Sequence, residues 1–148
     1  MLIGIDPLLT PDLLWALGSM GHGDDFALVD ANHPAESIAA STGRALIHLP
    51  GLAIDEVARA ILGVFPLDKS EPDPARCMAV VGAPGTLAPV QQAVQVALTT
   101  ASSGACTLAG IERHAFYVEA RKAFVVVQVG DARPFGCFLF RKGVIAKA

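Results

Sequence analysis

Residues 20–35 read MGHGDDFALVDANHPA and concentrate the side chains best suited to chemistry. His22 stands between Gly21 and Gly23, Asp24 and Asp25 follow, Asp30 lies eight residues downstream, and Asn32 and His33 come after it. Two glycines give an imidazole room but no packing partners, so this histidine is placed to be reached. Imidazole changes charge near neutral pH, which suits proton transfer to and from a bound molecule. A second set, Arg113, His114 and Tyr117, lies in ERHAFYVEARKA. Arg113 and Tyr117 are four apart and would share a helix face.

Each has an ordinary reading as well. Gly21 serves as a helix C-cap that leaves His22 merely exposed. Asp24 and Asp25 serve as turn and cap residues, and Asp30 as the head of an Asx-turn. Arg113 is a solvated charge beside Glu112, and Tyr117 a half-buried packing residue. His22, Asp24, Asp30 and His33 are all metal-capable, but they lack the helical or tight-loop spacing of a strong metal site. No metal is expected.

The elements that must position these residues are readable from pattern. Thr10-Pro11-Asp12 is a helix start, with Thr10 as N-cap and Pro11 at the first helical position. Leu13, Leu14, Leu17 and Met20 follow at helical spacing, and Gly18 and Gly21 end the run. DFALVD and RALIHL (44–49) read as strands. Residues 53–65 form a helix with Ile54, Val57, Ala58, Ile61 and Leu62 on one stripe. The proline-rich PLDKSEPDPAR reads as a mobile loop. CMAVVG (77–82) is a strand, and TLAPVQQAVQVALTTA a helix. Residues 112–123 form another helix, on which Glu119 and Lys122 are spaced to pair. FVVVQVG (124–130) and GCFLFRKGV (136–144) are strands that the DARPF turn could join as a hairpin. Strands alternating with helices predict one α/β domain: three layers, α/β/α, around a mixed, mostly parallel sheet.

Composition narrows the function. The chain has 148 residues, the size of one domain, with 53% hydrophobic and only 17% charged residues. No apolar run approaches the roughly 18 residues of a membrane span. The surplus apolar surface is therefore expected to face other copies of the chain, as obligate interfaces do. The net charge is −3 and the eleven Lys and Arg are scattered, so neither nucleic acid nor an anionic membrane is an expected partner. The N-terminus lacks the basic start of a signal peptide. Cys77, Cys106 and Cys137 form no CxxC pair and suggest a reducing cytoplasm. GxGxxG, Walker, GxSxG and HExxH signatures are all missing, so nucleotide and serine-nucleophile chemistry lack support.

IDPLLTPDLLWALGSMGHGD, DANHPA, ERHAFYVEARKAF and FGCFLFRKGV closely resemble the sugar mutarotase family of L-fucose mutarotase and D-ribose pyranase, the fucose branch more closely. The Met-Gly-His-Gly-Asp block is Met20 to Asp24, the Asp-Ala-x-x-Pro-Ala block Asp30 to Ala35, and the Arg-Phe-Ala-Phe-Tyr block Arg113 to Tyr117. The resemblance implies a cofactor-free isomerase that interconverts the anomers of a free monosaccharide. It also implies ring-shaped homo-oligomers, typically decamers of stacked pentamers, with the sugar near subunit contacts. By that analogy His22 is the proton donor. Asp30 accepts sugar hydroxyl hydrogens or orients the histidine, Arg113 donates to hydroxyl oxygens, and residues 135–137 contact the substrate.

The family's late Tyr-Gly-Asn block stands here as Phe135-Gly136-Cys137, without a phenol hydroxyl or a carboxamide. His33 and His114 replace common phenylalanines. They are expected to polarise the pocket, which also includes Tyr117, and to favour a sugar more hydroxylated than a 6-deoxy one. Eight extended residues span roughly 26 Å, so His22 and Asp30 cannot share one sugar along a straight strand. At least one site residue is expected to cross a subunit interface. A sugar-binding protein that has lost turnover is the competing reading, and a metal-dependent hydrolase the third.

Overall fold

The computed structural model describes residues 1–146. Helix α1 (Pro11–Ser19) starts as its sequence dictates: Thr10 Oγ1 accepts the Leu13 N–H, and Pro11 opens the first turn. Then follow β1 (Asp25–Val29), α2 (Ala35–Thr42), β2 (Ile47–Leu49), α3 (Ile54–Leu62), β3 (Ala75–Met78), α4 (Pro89–Ala101), β4 (Ala109–Ile111), α5 (Arg113–Ala120), β5 (Val125–Val129) and β6 (Cys137–Arg141). Helix α2 and strand β4 have no counterpart in the sequence reading. The first has Ile38 as its one large apolar residue, and the second is three residues around a glycine.

The six strands form one sheet in the order β2-β5-β1-β6-β3-β4. Three pairings are parallel, and β6 alone runs against its neighbours β1 and β3. The expected mixed, mostly parallel sheet is observed. The expected β5–β6 hairpin is not, because β1 lies between them. Residues 130–136 therefore carry the chain over the end of β1, where a tight turn would have bypassed it.

Period-two alternation along β1 sends Phe26 and Leu28 to one face and Ala27 and Val29 to the other. The first face packs under α1, α3 and α4 with Phe138 and Phe140, the second under α2 and α5 with Phe116 and Leu139. That is the three-layer arrangement. Helix α5 begins one residue late because Glu112 caps it, accepting from the His114 and Ala115 N–H groups. The Glu119–Lys122 pair forms at 2.9 Å. Among the described residues no helix is long and apolar enough to cross a membrane.

Topology sorts the polar residues. Strands β1 to β5 run in one direction, so their carboxyl ends and the helix N-termini that follow share one edge of the molecule. Ligands of open α/β sheets bind at that edge.

Candidate active site

Asp30 sits at this carboxyl edge, directly after β1, and is only 4% exposed. Its Oδ1 accepts the Asn32 N–H at 2.9 Å and its Oδ2 the Gly136 N–H at 3.0 Å. The first bond is the Asx-turn expected of such a residue; the second ties it to the turn before β6. Burial pushes the Asp30 carboxyl above the usual range, against the lowering effect of these donors. Gly136 lets the turn approach Asp30 closely: a Cβ there would lie 3.0 Å from the Asp30 Cβ, and one of the two would have to give by a few tenths of an ångström.

Two other side chains join Asp30. Cys137 Sγ lies 3.7 Å from its Oδ2 and 3.4 Å from His33 Nδ1. His33 is 6% exposed, packs against Phe116 and Tyr117, and has no partner for Nε2 among the described residues. Gln128 Nε2 holds their loop by donating to the Asp30 and His33 carbonyls. Tyr117 and Phe135 are half-buried in the same cluster. Arg113 and His114 are exposed in the first turn of α5, at the same edge.

Sequence reasoning missed what supports this edge. Phe135 has φ +65°, a left-handed conformation that costs a bulky L-residue about 1–3 kcal/mol and marks an over-determined site. Fully buried Gln91 holds it there, donating from Nε2 to the Phe135 and Met78 carbonyls while Oε1 accepts the Ala88 N–H. Asp131 anchors the start of the turn. It accepts the Ile54 N–H at the head of α3 and pairs with Arg133, which also reaches Asp55. The Arg133 guanidinium holds the Asp131 carboxyl down to about 2.

His22 is elsewhere. Gly23 and Asp24 continue the ladder beside Lys142, so His22 lies at the amino end of β1. That is on the order of 20 Å from Asp30. Its ring is half-exposed, and Nε2 meets Asp68 Oδ2 at 3.0 Å. Asp68 is 3% exposed, and its Oδ1 accepts both the N–H and the hydroxyl of Ser70. Those bonds, more than His22, lower the Asp68 carboxyl. Asp68 therefore orients the histidine, a role the sequence offered to Asp30. It falls in the segment read as a mobile loop. Leu67 bridges to Lys142 and Asp68 N–H donates to the Arg141 carbonyl, so the loop begins as an anchored edge. Its only sequence signal is an Asp two residues before a Ser, an Asx-turn pattern.

The anchoring depends on Gly143, where a Cβ would come within 2.5 Å of the Leu67 carbonyl oxygen and 2.7 Å of the Asp68 Cα. Gly143→Ala should cost about 1–3 kcal/mol by overpacking. It should also loosen the His22–Asp68 contact, visible as a lower melting temperature and displaced His22 ring resonances by NMR.

One chain thus presents two polar clusters at opposite ends of β1: a half-exposed imidazole held by Asp68, and a buried carboxylate with a thiol and a second imidazole beside it. At that separation no one small molecule could touch both within one chain. Clefts of about 590 and 470 Å³ are lined around Trp15 and Arg44 and around Asp6 and Arg59, and include neither His22 nor Asp30. Among the described residues no group of three His, Cys, Asp or Glu side chains is placed to hold a metal ion.

Known proteins share this plan. The chain is 40% identical to the fucose mutarotase of Bos taurus over 149 residues, covering 99% of this chain and 95% of the relative. It is also 40% identical to that of Homo sapiens over 146 residues, covering 97% and 94%. The crystal structure of the fucose mutarotase in complex with L-fucose from Streptococcus pneumoniae superposes with a TM-score of 0.86 at 31% identity, covering 98% and 100%. FucU from Bifidobacterium longum superposes at 0.87 with 33% identity, covering 97% and 99%. The sequence profile of the RbsD/FucU transport protein family spans residues 3–145, and the chain belongs to that family.

Proposed function

We propose that the protein is a cofactor-independent mutarotase that interconverts the anomers of a free monosaccharide such as L-fucose. The observation that carries this reading is the His22–Asp68 pair: a half-exposed imidazole whose Nε2 is held by a buried carboxylate, leaving Nδ1 free to face a ligand. Mutarotation needs a proton delivered to the ring oxygen as the bond from that oxygen to the anomeric carbon breaks. The anomeric hydroxyl loses its proton at the same stage. Rotation about the carbonyl carbon and reclosure on its other face reverse both transfers. His22 is the proton donor, and positioned acid–base help of this kind is worth about 10² to 10⁴-fold. Asp30 accepts hydroxyl hydrogens of the sugar, and Arg113 offers fixed donors to hydroxyl oxygens. Phe135, Gly136 and Cys137 line the same end, with Tyr117, His33 and His114 beside them. No metal or cofactor has a step to perform.

The complete site joins the His22 end of one subunit to the Asp30 end of the next. Such a head-to-tail contact repeats until it closes into a ring. The resemblance supports stacked pentamers making a decamer, and exposed Trp15, Val81, Val96 and Val118 are apolar surface for such contacts. A homodecamer in the cytoplasm, its three cysteines reduced and each subunit a single domain, is the form we expect. Sedimentation should give the mass of ten chains, and a monomer at working concentration would exclude the shared site.

The loss of a hydroxyl and a carboxamide at Phe135 and Cys137 favours the alternative, a sugar-binding protein of transport or sensing with impaired turnover. Magnetisation-exchange NMR on the anomeric protons of L-fucose, D-ribose and a hexose with a hydroxymethyl group in place of the fucose methyl separates the two. Faster exchange that disappears in His22→Ala is expected. His33 and His114 should favour the more hydroxylated sugar. Binding without exchange would establish the alternative.

A further inference from the structure

The carboxyl-edge cluster holds a buried thiol and a buried imidazole that no proton transfer above uses. Resting on the reading of Asp30 as a sugar-binding carboxylate, we propose that Cys137 and His33 are positioning residues for it. A line of donors runs from His33 Nδ1–H to Cys137 Sγ, and from the Cys137 thiol to Asp30 Oδ2. It holds the carboxylate in the orientation that meets the sugar.

The direction of the line follows from counting hydrogens. An ionised carboxylate only accepts, so the Cys137 S–H must be the donor across the 3.7 Å contact. The thiol has one hydrogen, now committed. Its sulfur can only accept from His33 across 3.4 Å, which puts the imidazole proton on Nδ1. Nε2 is then a bare lone pair. Independently, Nε2 is buried and has no partner among the described residues. A lone acceptor is tolerated in such a wall of Phe116 and Tyr117 far better than an orphaned N–H. Both arguments give the same tautomer.

The charges agree. Burial, then the Asp30 charge, drives the Cys137 thiol far above its ordinary range, so it stays protonated. Burial, then Arg121, pulls His33 down to about 4, so it stays neutral. The line carries one charge, on Asp30. The ionisable groups that bear on it are Tyr117 on α5, Arg121 just past the end of α5 and, across the sheet, Cys77 of β3, whose own thiol burial lifts to about 11. A thiol is a weak donor. Accepting from an imidazole polarises it and strengthens the bond it makes, which explains why the two residues occur together beside one carboxylate.

Three measurements test this, two of them independent of any activity. In infrared difference spectra against Cys137→Ser, the Cys137 S–H stretch should lie below that of a free thiol and rise in Asp30→Asn. Nitrogen-15 NMR of the wild type should find His33 protonated on Nδ1. In pH profiles of anomer exchange, Cys137→Ala should move the acid limb of kcat/KM up by about half to one pH unit, because the buried carboxylate loses a donor. Cys137→Ser, which restores one, should return it. A free-thiol stretch, an Nε2-protonated His33, or an acid limb unmoved in Cys137→Ala would each overturn the proposal. If the wild type exchanges no sugar while the two spectral results stand, the mutarotase reading has failed and the donor line has not.

Discussion

Co-expressed and purified as mixed oligomers, His22→Ala and Asp30→Asn should recover about a quarter of the wild-type rate of anomer exchange. Each variant alone should have lost about 10² to 10⁴-fold, the worth of a positioned acid–base group. The recovery follows from the two half-sites. His22 and Asp68 stand at the amino end of β1, and Asp30 with Gly136 and Cys137 at its carboxyl end. In the ring proposed above, each site would take its histidine from one subunit and its carboxylate from the neighbour. Random mixing places an intact His22 end against an intact Asp30 end at one junction in four. Differently tagged variants, purified through both tags, isolate the mixed rings. A mixture as inactive as its components would mean that the two residues serve separate sites, and would remove the shared-site reading.

His33→Phe should make the protein markedly more resistant to acid. Burial lowers His33 from 6.5 to about 4. The unfolded chain therefore binds a proton over a range in which the folded chain does not. Stability that is complete above the unfolded value is lost as pH falls through the folded one, and a gap of this size corresponds to about 3 kcal/mol. Asp30 works in the opposite sense, because its raised pKa makes protonation in acid favourable to the fold. Asp131, held down to about 2, acts only at lower pH. Urea unfolding of both proteins from neutral pH to about pH 4 should show the wild type losing about 3 kcal/mol more than the variant. Parallel losses would mean that the His33 proton is not excluded by the fold.

Much of this architecture can be read from the chain because local signals agree with the packing. Thr10 and Pro11 start α1 where a hydroxyl acceptor and a preset φ are wanted. DFALV alternates between two buried faces, and the stripe from Ile54 to Leu62 faces one core. The partner of β6 is not local information. DARPF is compatible with a turn, and only tertiary packing places β1 between β5 and β6. Asp30 and His33 could be picked out because they are polar residues at the end of an apolar strand. Asp68 could not, since a polar, proline-rich context gives no sign that its carboxylate is buried beneath an imidazole 46 positions away. Gln91 is hidden in a different way. On an amphipathic helix a glutamine reads as solvent-facing, and only the left-handed turn at Phe135 supplies the carbonyl it must satisfy.

The single antiparallel strand has a consequence for how the molecule can vary. β6 begins at Cys137, beside Asp30, and ends at Arg141, whose carbonyl receives the Asp68 N–H. Five residues therefore act as a ruler between the two half-sites. Adding or removing one would invert every inward and outward side chain of a strand buried on both faces. It would also change the span between the His22 end and the Asp30 end of the sheet. Family members should accept length changes in the segment between Asp68 and Pro74 far more readily than anywhere from Gly136 to Gly143, whatever sugar they turn over.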